Sequence, residues 1–213
     1  MRDDAHADDP PGASHPAGRA PGEAQDTLLR GEPLLDGLEQ HVPGSRVHAD
    51  AVAAYSFALA VEIGLGRSEC EQIREAARLH EVGKLYLPQW LLAEPPGQLS
   101  DSERAQLAAQ EELGHRVCLG AGISDEVCAW ILHAREHFDG TGPGGLGGEG
   151  IPLPSRIIRA TCSYATLLRQ QPSDAAEAPH ETTIAWLRNA SGAELDPALV
   201  EALARVVTRA SSP

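Results

Sequence analysis

Between Leu28 and Arg209 the apolar residues return every three or four positions and nowhere alternate with polar ones over several residues. Helices bury that spacing and strands do not, so the chain is expected to be all-α. His48, Val52, Tyr55 and Leu59 form one such stripe, which Gly64 and Gly66 then stop. Ser68 with Glu71 predicts a capping box, opening a helix whose inward residues are Ile73, Ala76, Ala77 and His80. Ser100 with Glu103 predicts a second box, followed by the stripe Leu107, Gln110, Gly114 and Val117. Val127, Trp130, Ile131 and Ala134 mark another helix, and Pro154 opens one that carries Ile158, Cys162 and Ala165 on one face. Helices near Thr182 to Asn189 and after Asp196-Pro197 complete the set.

Residues 1–26 are rich in Asp, Pro, Gly and Ala and contain no Val, Ile, Leu or aromatic residue, so they are expected to form a disordered acidic tail. The helical domain is expected over 27–209, with 210–213 as a short C-terminal tail. The 31 acidic against 17 basic side chains give a net charge of −14, which argues against a partner held by phosphate neutralisation, and so against a nucleic-acid polymer. There is no apolar run of a signal peptide or a membrane span, so a soluble, cytoplasmic protein without a membrane partner is expected. Cys70, Cys118, Cys128 and Cys162 form no CxxC pair and are read first as buried small hydrophobes. Oligomeric state is not legible.

Three inward stripes deliver polar residues: His48, the pair His80-Glu81, and Cys162. Imidazoles on two helices with a carboxylate beside one of them are the donor types of a divalent cation site. Lys84 follows at the helix end, where Gly83 is read as releasing the backbone so that the ammonium meets a phosphate oxygen held on the metal. A single inward histidine is equally read as a satisfied core residue.

The run Ala76-Ala77-Arg78-Leu79-His80-Glu81-Val82-Gly83-Lys84-Leu85-Tyr86-Leu87-Pro88 resembles the "AALLHDIGKIGIP" of HD-GYP domains, in the HD phosphohydrolase superfamily. Phe138-Asp139-Gly140-Thr141-Gly142-Pro143-Gly144-Gly145-Leu146 with Ile151-Pro152-Leu153 is similar to "WDGSGYPxGL…IPL". Glu194-Leu195-Asp196-Pro197-Ala198-Leu199-Val200-Glu201-Ala202 is similar to "FDPELVEAF". The resemblance runs from about Gln40 to Arg209 and implies an HD-domain helical bundle of a bacterial signalling protein. It also implies hydrolysis of cyclic di-GMP at a centre of two or three metals.

Matched residue by residue, the resemblance implies His48 and His80 as metal ligands, Glu81 in place of the family's aspartate, and Lys84 as the substrate-phosphate contact. The family's next histidine falls on Gln110, its His-His pair on Ala134 and Arg135, and its last aspartate on Cys162. The tyrosine of the GYP loop is missing between Gly142 and Pro143, and Gln171-Pro172-Ser173-Asp174 replaces the "RPYR" contacts. A set of His48, His80, Glu81 and, as a candidate fourth ligand, Cys162 suits one ion. A thiolate would favour zinc over manganese or iron. The alternative for Cys162 is a small core residue beside Ile158 and Ala165.

Arg135 puts a permanent cation where an imidazole would stand, opposing a second metal, and is expected to pair with Glu81, Glu136 or an anionic ligand, or else to lie exposed. Asp139, Gly140 and Gly142 belong to a glycine-dense loop that in the family borders the substrate cleft. The same composition also suits a mobile linker. The expectation is an eroded HD-GYP-like domain, binding a cyclic dinucleotide, another phosphoester or a protein partner without turnover. The alternative is an active phosphodiesterase or phosphatase in which Glu81 bridges metal and Lys84 stabilises the transition state.

Overall fold

The computed structural model describes residues 21–171 and 179–210. The chain runs through α1 (Pro21–His41), α2 (Ser45–Glu62), α3 (Arg67–Leu79), a 3-10 turn (Val82–Tyr86), α4 (Gln89–Ala93), α5 (Asp101–Ala108) and α6 (Gln110–Gly120). It continues through α7 (Asp125–Leu132), α8 (Leu153–Gln170), α9 (Pro179–Asn189) and α10 (Pro197–Ala210). Among the described residues there is no strand, only an isolated bridge between Ser191 and Leu195. The architecture is all-α.

Boundaries differ from expectation in four places. Residues 1–20 of the expected tail and 211–213 lie outside the described residues, but residues 21–26 open α1, where proline occupies a first-turn position that needs no N–H. The Ser68–Glu71 capping box is absent. Gly66, in extended conformation, is the N-cap, and its carbonyl accepts from the Cys70 N–H at 2.9 Å, so α3 starts before Ser68 reaches a capping position. The stripe from Leu107 to Val117 is broken at Ala109, where α5 gives way to α6. The last helix before α10 starts at Pro179 rather than near Thr182. The Ser100–Glu103 box is present, with both reciprocal bonds formed. Asp196 Oδ1 likewise accepts from the Ala198 N–H at 2.9 Å as α10 begins.

The core is built from small and branched aliphatic side chains. Val52, Leu59 and Ala60 of α2 meet Ile73, Ala76 and Ala77 of α3, with Ile157 and Ile158 of α8 and Val127 and Ile131 of α7 closing the layer. Small residues at the helix contacts let backbones approach closely, which offsets the scarcity of aromatic volume. Tyr164 meets Tyr55 edge-on at 4.8 Å between centroids. Thr161 donates to the Ile157 carbonyl at 3.0 Å, so the 2.7 Å contact with Ser56 is a bond donated by Ser56. That buried bond fixes α2 against α8.

α1 buries Leu35 and Leu38 in the same core and is also tied on by charge. Arg78 of α3 reaches Glu32 at 2.7 Å and Asp50 at 2.9 Å, and Arg46 of α2 reaches Glu32 at 3.0 Å and Asp36 at 2.6 Å. Glu39 of α1 also accepts from the Gly44 and Arg46 N–H groups at 2.9 and 2.8 Å. An α1 carboxylate therefore caps α2, whose own N-cap residue is a glycine in left-handed conformation.

Candidate metal centre

Three elements converge where α2 begins, α3 ends and α8 passes. His48 is in the first turn of α2 and buried. His80 is the C-cap of α3 and buried. Its Nδ1 lies 2.7 Å from the Ala77 carbonyl, which only accepts, so Nδ1 carries the proton and neutral Nε2 presents a lone pair. His80 Nε2 is buried and has no hydrogen-bond partner. Burial lowers the His80 pKa against the opposing pull of Glu81, favouring the neutral imidazole that a metal requires. Cys162 Sγ is 3.7 Å from His48 Nε2, and the two rings stand 5.7 Å apart, tilted by 50°.

One ligand atom from each of His48, His80 and Cys162 falls within 4.8 Å of the other two. Tetrahedral zinc, with bonds of about 2.0 to 2.3 Å, needs ligand atoms roughly 3.3 to 3.8 Å apart, so modest side-chain adjustment closes the set on one ion. The donor types and the orphaned Nε2 fit a cation. Bound there, it would supply Lewis acidity and lower the pKa of a coordinated water.

Glu81 and Lys84 take a different arrangement from the one expected. Their side chains pair with each other, both largely buried, and Glu81 stands outside the three-residue cluster. Burial pushes the Glu81 carboxyl up, but the charges of His80, Lys84 and His48 and the Lys84 hydrogen bond outweigh it and hold it at about 2. Lys84 is thereby held at the cluster's edge by an anion already on the chain. Gly83 has a different role from backbone release. A Cβ there would lie 1.9 Å from the Gln110 carbonyl oxygen and 2.8 Å from the Gly114 nitrogen, so the glycine lets the 3-10 turn sit directly on α6. That close approach positions the end of α3, and His80 with it.

The residues onto which the resemblance would place further metal ligands carry other chemistry. Gln110 is buried with Oε1 unpartnered, and Ala134 is buried. Arg135 pairs neither with Glu81 nor with Glu136, because Glu111 on the first turn of α6 faces it, with Arg135 Nε 3.3 Å from Glu111 Oε1. Glu111 was not marked by the sequence, yet it is buried and neither oxygen accepts a hydrogen bond. Burial raises its pKa, with the charges of Arg135, His80 and Arg159 opposing.

The glycine-dense loop is held rather than loose. Asp139 Oδ1 accepts from the Thr141 N–H and hydroxyl at 2.9 and 2.7 Å, while its own N–H donates to the Ala193 carbonyl at 2.8 Å. The Thr141 bonds hold the Asp139 carboxyl below its usual range. Gly140 turns the chain at φ +84°, and Gly148 donates to the Phe138 carbonyl at 2.7 Å. Gly142 and Gly144 lie on Glu136, where a Cβ would come within 2.6 and 2.1 Å of its carboxylate oxygens. The glycines therefore serve close packing over a buried carboxylate, which a mobile linker would not need.

Compared with known families, residues 32–199 match the HD domain. The chain belongs to the HD domain family. HD-domain phosphohydrolases are metal-dependent, in keeping with the cluster of His48, His80 and Cys162. The cyclic di-GMP phosphodiesterase response regulator RpfG of Xanthomonas campestris pv. campestris is 30% identical over 184 residues, covering 85% of this chain and 47% of that protein. The 3'3'-cGAMP-specific phosphodiesterase 1 of Vibrio cholerae is 28% identical over 162 residues, 74% of this chain and 37% of its own length. The chain thus spans less than half the length of these curated relatives. Among solved structures, the L. monocytogenes phosphodiesterase PgpH HD domain in complex with cyclic-di-AMP superposes with a TM-score of 0.63 at 15% identity, over 84% of this chain and 94% of that one. Bd1817, an HDG"Y"P protein from Bdellovibrio bacteriovorus, gives 0.62 at 19%, over 77% and 52%. At these identities the two structures show a shared fold. Among the described residues no helix is long and apolar enough to cross a membrane.

Proposed function

We propose that this HD domain binds one divalent cation through His48, His80 and Cys162 and takes a phosphoester ligand of the cyclic-dinucleotide class with little or no turnover, acting as a regulatory binding domain. The observation that carries the reading is the orphaned His80 Nε2 within a cluster of only three ligand-bearing residues, beside Gln110, Ala134 and Arg135. In-line attack on a phosphodiester at two metals needs donors at both ions, and here an amide, a methyl group and a guanidinium stand at the second. A thiolate with two imidazoles favours zinc. Lys84 and Arg135 supply positive charge for the phosphates, and the relatives named as acting on cyclic di-GMP and cGAMP support the ligand class.

The retained His48, His80 and Lys84 favour one second reading, a single-metal phosphohydrolase acting on a simpler phosphoester. Calorimetric titration with cyclic di-GMP, 3'3'-cGAMP and cyclic-di-AMP, followed by product analysis after prolonged incubation, separates the two. Saturable binding with intact ligand supports the proposal. Steady hydrolysis abolished by His80→Ala supports the second reading.

A further inference from the structure

We infer that Glu111, rather than Glu81, is the carboxylate that this cleft offers to a cation, and that Arg135 holds the place of that cation on Glu111 until an ion arrives. The inference rests on the metal-binding reading above. Glu81 is already committed to Lys84. Glu111 is only 5% exposed, neither of its oxygens has a hydrogen-bond partner, and its ion pair is with Arg135. A buried polar group without partners is costly, and a bound cation or its coordinated water removes that cost.

His80 Nε2 and Gln110 Oε1 are also buried and unpartnered, at 6% and 2% exposure, and each offers a lone pair. An imidazole nitrogen, an amide oxygen and a carboxylate are donor types that a divalent cation takes. Gly83, three residues after His80, sits directly on the Gln110 carbonyl, which brings the first turn of α6, and Glu111 with it, to the end of α3. The Arg135 Nε reaches ion-pair distance at 3.3 Å without hydrogen-bond alignment, and its side chain is 43% exposed. A guanidinium so placed swings into water with little loss of packing, freeing Glu111 for an incoming ion. The carboxylate would thus be displaced by one residue along α6 from Gln110, which stands at the family's histidine position.

Cobalt(II) titration of the metal-free full chain tests this, because the thiolate-to-cobalt absorption band of Cys162 reports the primary site independently of activity. Glu111→Gln is expected to weaken cobalt binding by at least about tenfold while that band keeps its shape, the scale seen when groups supporting a metal site are removed. Arg135→Gln, on a half-exposed side chain that leaves the fold intact, is expected to tighten binding, and to lose that effect when combined with Glu111→Gln. A Glu111→Gln affinity equal to the wild type, or an Arg135→Gln variant that binds more weakly, overturns the inference and leaves the metal site standing. A wild-type chain that binds no cobalt overturns the metal-binding reading and this inference with it.

Discussion

Cys162 Sγ lies 3.7 Å from His48 Nε2 across 114 residues of chain, joining α8 to the first turn of α2. The pairing depends on two devices that flank these residues. The Ser56–Thr161 bond sets α8 against α2, and the Glu39 carboxylate caps the turn from which His48 projects.

Cys162→Ala should therefore leave the helical signal unchanged, abolish the thiolate band of the cobalt-loaded protein, and weaken zinc binding by at least about tenfold. Cys162→Asp replaces a soft donor with a hard one and should shift the preference toward manganese, read as the order of affinities by competition titration. An unchanged zinc affinity in Cys162→Ala would make the residue a small core side chain only.

Gly83→Ala should destabilise the fold by about 1 to 3 kcal/mol or more, the range for forced overpacking, because its Cβ would meet the Gln110 carbonyl. Thermal unfolding followed by circular dichroism checks this. A melting temperature equal to the wild type would show that the 3-10 turn tolerates separation from α6.

Glu32 supplies the expected pH dependence. Its hydrogen bond from Arg78 lowers its pKa, burial opposes, and Arg46 adds to the lowering. A folded pKa below the unfolded one gives stability that is complete above the ordinary carboxylate value of about 4.3 and vanishes as pH falls through the lowered value. Glu32→Gln should thus unfold more easily than wild type at neutral pH, with the difference closing as the pH falls below the ordinary carboxylate range and Glu32 is protonated. A difference that persists in acid would assign the loss to packing.

Much of this was legible before any coordinates. The stripes of α2 and α3 pointed His48 and His80 inward because three-to-four spacing fixes which side of a helix meets the core. The break at Ala109 left no mark, since the apolar spacing from Leu107 to Gly114 continues through it. Ser68 carried a capping signature, but the extended backbone of Gly66 started the helix first. Gly83 read as a release of the backbone, whereas its use is tertiary: it admits the Gln110 carbonyl, a contact that local sequence does not encode. Glu111 was invisible for a related reason. A glutamate in a first helical turn is the ordinary solvated partner of the helix dipole, and only the packing of α6 against the 3-10 turn and α7 buries it.

The central claim is a single cation held without phosphodiester turnover, and the most direct measurement is the metal content of the full chain purified without chelator, by mass spectrometry, alongside a cyclic di-GMP hydrolysis assay of the same sample. The account predicts about one equivalent of zinc per chain, lost in His80→Ala, and no steady product. Two equivalents of manganese or iron, with hydrolysis that rises with metal loading and disappears in His80→Ala, would contradict it.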